Sequence, residues 1–338
     1  MPVAQVTPLI AALGPRQSPA RKRPPRRAPL RIAAVQERWH ADPDQHEAAL
    51  AAAVACAATE GAQLVCLQEL TLSRYFAVDP GGPQAAGVEA EQLPGGPTYR
   101  FAARMAAENG LHVHASLYER AQEADGLGFN TAIIVAPDGE LVGRTRKLHI
   151  PASAGYHEDR YFRPGGAGGD PGDPFPLLRL ADADLGLPTC WDQWFPELAR
   201  IYALQGADVL VYPTAIGSEP EHPGFDTQPL WEQVILGNAI ANGLFIVAVN
   251  RVGEEPPLNF YGSSFICDPY GRKLAQAPRD QPMVLVADLD LDQRQDWLEL
   301  FPFMQTRRPD AYARLLEQGE EPANGRENGR ESGRENGR

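Results

Sequence analysis

Short runs rich in Val, Ile and Leu alternate along the chain with alanine-rich stretches of helical period. LRIAAVQ (30–36) reads as a strand, HEAALAAAVACAATEGA (46–62) as a helix stopped at Gly61, and QLVCLQE (63–69) as the next strand. That order is the strand-helix-strand pattern of a sheet covered by helices. Two hairpins follow: NTAIIVAPDGELVGRTRK turns at Pro137-Asp138-Gly139, and SSFICDPYGRKLAQA turns at Pro269-Tyr270-Gly271. With DVLVYPT (208–214) and LFIVAVNRV (244–252) they make two halves of similar plan, and a layered α/β sandwich is the plainest architecture.

The ends do not follow this pattern. Residues 319–338 close on the repeat NGRENGRESGRENGR, which has no apolar side chain to bury and is expected to stay disordered. Residues 1–29 carry six Lys/Arg and no acid among many prolines, and read as a disordered basic extension or a misassigned start, with a partner-binding tail as the alternative. The expected folded domain is 30–318.

Composition then narrows the function classes. A chain of 338 residues, 43% hydrophobic, can bury a large core, and a net charge of −13 repels nucleic acid. No apolar run reaches the roughly 18 to 20 residues of a membrane span, and the arm lacks the order of a secretory signal. Four cysteines without a C-x-x-C pair suggest a reducing compartment, the cytoplasm.

Three polar residues stand where strands end, the place where open α/β sheets gather ligands: Glu69, Lys147 and Cys190. Taken singly, each has a bland reading as an edge charge or a packed thiol. Cys190 differs because WDQW follows it and the helix PELARIYALQG comes next, with Pro196 at its first position and Gly206 as its stop. Cysteine, glutamate and lysine make a consistent acyl-transfer set of nucleophile, proton carrier and oxyanion partner. Separations of 78 and 43 residues cannot by themselves bring the three together. His112 and His114 share a strand face but have no third ligand in sight, so a metal role gives way to a structural one. His149 and His157, flanking the lysine and glutamate motifs, read as supporting or surface residues.

QEL (68–70), RKLHIP (146–151) and CWDQWFPE (190–197) resemble the glutamate, lysine and cysteine motifs of the nitrilase superfamily of carbon–nitrogen hydrolases. CWDQWFPE with YPTAIGSEP, VNRVG and FYGSSFICDPYG is similar to the branch that hydrolyses N-carbamoylputrescine, over about Leu30 to Tyr312. The resemblance implies an αββα sandwich, usually a dimer or larger homo-oligomer, and hydrolysis of a small N-carbamoyl amine through a thioester with no metal or cofactor. It makes Glu69 the general base, Lys147 the oxyanion partner, Cys190 the nucleophile and Glu158, in GYHEDRYFRPG, a second, positioning glutamate. The Trp191 N–H would complete the oxyanion site. Tyr75, Tyr156, Trp191 and Glu219 would bind substrate, Glu219 pairing with an ammonium. The chain departs from the branch at Ala152, Asp159 and Asn238 and in LPTC before the nucleophile, while keeping the catalytic trio.

Two other readings stand beside this one. A sister amidase acting on an N-carbamoyl amino acid or an ω-amide would need a basic pocket residue such as Arg251. A silent scaffold recruiting partners through its tails would have no use for the intact trio.

Overall fold

Alternation along one strand sets up the layers. In Leu30–Gln36, Ile32 and Ala34 point to one side and Ala33 and Val35 to the other, and all four are buried. A strand apolar on both faces must be covered on both. The computed structural model, which describes residues 10–13, 16–123, 125–153, 155–166 and 172–317, shows how.

One sheet has seven strands in the order Ile10–Leu13, Met283–Leu289, Leu30–Gln36, Leu64–Cys66, His112–Glu119, Phe129–Val135 and Leu141–Arg146. The other has six: Lys273–Gln276, Phe265–Cys267, Phe245–Val249, Val209–Pro213, Ala183–Gly186 and Leu178–Leu180. Ile32, Ala34, Leu64 and Cys66 of the first meet Val209, Val211, Phe245 and Val247 of the second in one buried core. On the outer face of the first sheet, Ala33, Val35 and Val65 pack on helices Pro43–Thr59 and Pro97–Asn109. Helix Gln228–Asn242 buries Trp231, Ile235 and Ala239 and contacts strand Phe245–Val249 of the second sheet, with helix Pro196–Gln205 beside it. The result is the expected two-sheet sandwich flanked by helices.

Both hairpins form at their turns, Phe129–Val135 with Leu141–Arg146 and Phe265–Cys267 with Lys273–Gln276. Helix Pro196–Gln205 starts on proline and ends at Gly206, whose φ of 107° only glycine adopts freely. The strand expected to run to Glu69 is regular only over Leu64–Cys66: the Leu67 and Thr71 N–H groups still bond the His114 and Ser116 carbonyls, but Glu69 and Leu70 form a turn between them, with Leu70 at φ 49°.

The described residues add contacts at both ends of the expected domain. The described part of the arm is not free of the body: Ile10–Leu13 pairs in parallel with Met283–Leu289, Arg21 bonds Asp290 and Asp296, and Arg27 bonds Asp292 and Asp208. Acids some 180 to 280 residues away pair with Arg21 and Arg27 of the basic arm, which arm composition alone could not disclose. One compact unit ends at Phe301, short of Gln318; a second begins at Pro302 and holds two short 3-10 turns, Pro309–Ala311 and Ala313–Leu316, among its described residues. The expected disordered tail, 319–338, lies outside the described residues.

Candidate active site

The three polar strand ends converge. Glu69 follows Leu64–Cys66, Lys147 directly follows Leu141–Arg146, and Cys190 lies four residues beyond Ala183–Gly186. The Lys147 ammonium bonds Glu69 Oε1 at 3.1 Å and the two Glu158 oxygens at 2.9 and 2.7 Å, with all three side chains essentially inaccessible. Asn130 Nδ2 donates to Glu69 Oε1 at 2.7 Å, and the Tyr75 hydroxyl donates to Glu158 Oε1 at 2.6 Å. Among the described residues none donates a hydrogen bond to buried Glu69 Oε2, so this oxygen is open to receive a proton.

Burial and charge set the proton inventory. Burial alone would lower the Lys147 pKa, but the Glu158 and Glu69 charges outweigh it and hold the amine protonated. Burial pushes the Cys190 thiol well above its usual range, Glu69 adds to this, and Lys147 only partly opposes it. Cys190 therefore rests as a thiol, and any attack by its sulfur requires that proton to leave. Burial also raises Glu158, against the pull of Lys147.

Cys190 opens a short 3-10 helix, Cys190–Trp194, with a φ of 40°, a left-handed conformation that costs a non-glycine residue about 1–2 kcal/mol. Asp192 holds this turn. Its carboxylate accepts the Thr189 N–H at 2.9 Å, the His149 N–H at 2.9 Å and His149 Nδ1 at 2.8 Å, and His149 stacks on Phe195 at 3.7 Å. One side chain thus ties the loop after Lys147 to the loop bearing Cys190. His149 is a supporting residue of this kind, and the His157 N–H bonds the Ala77 carbonyl.

A cavity of about 280 Å³ opens over the thiol, lined by Tyr75, Tyr156, Glu158, Cys190, Trp191 and Glu219, together with apolar side chains and Trp194. Every residue expected to bind substrate therefore lies on one wall system. Glu219 is half-buried, and desolvation raises its carboxylate against the opposing hydrogen bond from Thr227 Oγ1 at 3.5 Å and the charge of exposed His222. No lysine, arginine or histidine lines the cavity among the described residues. Arg251, the basic residue required by the carboxylate-substrate reading, is absent from the wall: it is wholly buried and bonds protein carbonyls.

Asp192 and Asn130 went unassigned in the sequence. Asp192, two residues past the cysteine, offered a signal; Asn130 offered none, since its partner is 61 residues away. Among the described residues no group of three or more His, Cys, Asp or Glu could hold a metal, and His114 is buried with its pKa lowered by burial to about 3. No helix of the described residues is long and apolar enough to cross a membrane.

The carbon-nitrogen hydrolase family model matches residues 31–299. N-carbamoylputrescine amidase of Solanum lycopersicum is 38% identical over 297 residues, covering 84% of this chain and 94% of that protein. Citrullinase of Francisella tularensis subsp. tularensis is 34% identical, covering 86% and 99%. The crystal structure of a carbon-nitrogen hydrolase from Helicobacter pylori superposes with a TM-score of 0.73 at 32% identity, covering 86% of this chain and 99% of that one.

Proposed function

The chain belongs to the nitrilase superfamily of carbon-nitrogen hydrolases, and from that premise we propose that it hydrolyses N-carbamoylputrescine to putrescine, carbon dioxide and ammonia, a step of polyamine synthesis. The observation that carries the substrate is the Glu219 carboxylate on the wall of the cavity that Cys190 also lines, with no basic side chain lining that cavity among the described residues. An aliphatic ammonium satisfies such a carboxylate, whereas a substrate carboxylate would meet it with like charge.

In this reading the Cys190 sulfur attacks the carbamoyl carbon while its proton passes to Glu69 Oε2. The tetrahedral oxyanion is held by the Lys147 ammonium and the Trp191 N–H, which at the first turn of a helix has no acceptor within it. Glu69 returns the proton to the departing nitrogen, the carbon–nitrogen bond breaks, and ammonia leaves a carbamoyl thioester. Water then attacks, giving its proton to Glu69. The carbon–sulfur bond breaks, the thiol is reprotonated, and the released carbamic acid falls apart to amine and carbon dioxide. Glu158, bonded by Lys147 and Tyr75, fixes the ammonium.

A carboxylate-bearing substrate, the reading that the citrullinase relative keeps open, lacks the free Arg251 it would need. Ammonia release from N-carbamoylputrescine, citrulline and N-carbamoyl-β-alanine decides between them. Turnover of the first alone supports the proposal, and preference for either acid overturns it. A cytoplasmic homo-oligomer belongs to the same proposal, supported by four unpaired cysteines and by exposed Leu204 and Ile240 on neighbouring helices; light scattering of the purified protein checks the assembly.

A further inference from the structure

We propose that Arg251, locked by Glu255, is the positioning residue that holds Glu69 against Cys190. The inference rests on the reading of Glu69 as the base for that thiol.

The loop from Glu69 to Tyr75 has to present two side chains at once, the Glu69 carboxylate and the Tyr75 hydroxyl. It does so through a left-handed residue, Leu70, at φ 49°. Such a conformation persists only where the surroundings over-determine it. The Arg251 guanidinium supplies that constraint: Nη2 donates to the carbonyls of Glu69 at 2.9 Å, Leu70 at 2.8 Å and Ser73 at 2.6 Å, and Nε donates to the Glu69 carbonyl at 3.3 Å. Nη1 bonds Glu255 Oε1 at 2.7 Å, while Glu255 Oε2 accepts the Tyr75 N–H at 2.9 Å. One ion pair thus grips the loop at both ends.

Neither partner is accessible to solvent, so this pair gains nothing as a surface feature and carries a desolvation cost that its hydrogen bonds must offset. A planar fork of five donors suits several carbonyls at once, which a lysine cannot match. Phe260 packs edge-on against Tyr75 with ring centroids 5.9 Å apart and also faces the Arg251 guanidinium, closing the cluster. Arg251 itself follows strand Phe245–Val249, so the second sheet fixes the loop that the first sheet delivers.

The test measures kcat and KM on N-carbamoylputrescine, and the second-order rate of Cys190 alkylation by iodoacetamide, in the parent, R251K, E255Q, E69Q and E69Q/R251K. R251K and E255Q should lower kcat and the alkylation rate together with KM nearly unchanged, R251K by about 100-fold, the cost of a base displaced by about an ångström. In the E69Q background R251K should slow alkylation little further, because the loss runs through the carboxylate already removed. Parent-like kcat and alkylation in folded R251K or E255Q, or losses that multiply in the double variant, overturn the proposal. Should R251K fail to fold, E255Q and E69Q/E255Q carry the same comparison, since glutamine preserves the side-chain shape. Parent-like alkylation in E69Q overturns the premise as well, which separates a failure of the base assignment from a failure of the positioning role.

Discussion

Lys147 Nζ lies 2.7 Å from Glu158 Oε2 and 3.1 Å from Glu69 Oε1, so one buried ammonium is shared between two buried carboxylates. The shorter contact goes to the residue that does not take the thiol proton in the proposed reaction. Replacing Glu158 by glutamine removes the carboxylate that makes two of the three contacts to Lys147 and leaves the ammonium less firmly placed for the oxyanion. Steady-state assay should show kcat falling by about 100-fold with KM little changed, the low end of what losing one oxyanion donor costs. A matching rise in KM would point to a binding role instead.

Glu219 is expected to act on binding. A hydrogen bond to a charged group is worth about 1.5–3 kcal/mol, so Glu219→Gln should raise KM for N-carbamoylputrescine by about 10- to 100-fold and leave kcat within a few fold. Kinetics on a carbamoylated alkylamine without the terminal ammonium provide the control: there the substitution should have no effect on KM.

Asp192 joins the loops of Lys147 and Cys190 through four contacts, from the N–H groups of Leu148, His149 and Thr189 and the His149 ring. Asp192→Asn keeps the shape but puts an amide where a donor-accepting oxygen stood. It should cost about 1–3 kcal/mol in denaturant unfolding and lower kcat more than it changes KM. Normal stability with normal turnover would show that the clamp is redundant.

Acid should destabilise the fold through its buried histidines. Burial lowers His46 to about 4 and His114 to about 3, against an ordinary value of 6.5. Below 6.5 the unfolded chain binds the protons that the folded chain refuses. Stability is therefore full above that pH and lost as pH falls, until each folded pKa is passed. Each histidine adds up to about 1.4 kcal/mol per pH unit to the slope. Urea midpoints between pH 7 and 4 should fall less steeply in His114→Gln than in the parent; equal slopes would remove His114 from the account.

Local rules made much of the framework legible. Strand Phe245–Val249, both hairpins and the Pro196 to Gly206 helix follow from periodicity and turn chemistry, because those depend on neighbours in the chain. The positions of Glu69, Lys147 and Cys190 at strand ends were legible too, and family motifs pointed to their roles. Their convergence was not, nor was Asn130, because nothing near Asn130 in sequence marks it as the donor to Glu69.

Arg251 shows where that boundary falls. In sequence it is a cation after a strand, as suited to a substrate carboxylate as to anything else. The fold gives it the carbonyls of a loop some 180 residues away and so removes it from the pocket. The arm repeats the lesson, since Arg21 and Arg27 find their acids only once the chain has closed on itself. Sequence by itself determined the elements and the chemical types at their ends, for backbone preference and hydrophobic period are properties of a short segment. Tertiary structure alone decided which charges meet, because an ion pair or a buried hydrogen bond depends on distance in space and on the exclusion of water, and neither is written in the order of residues.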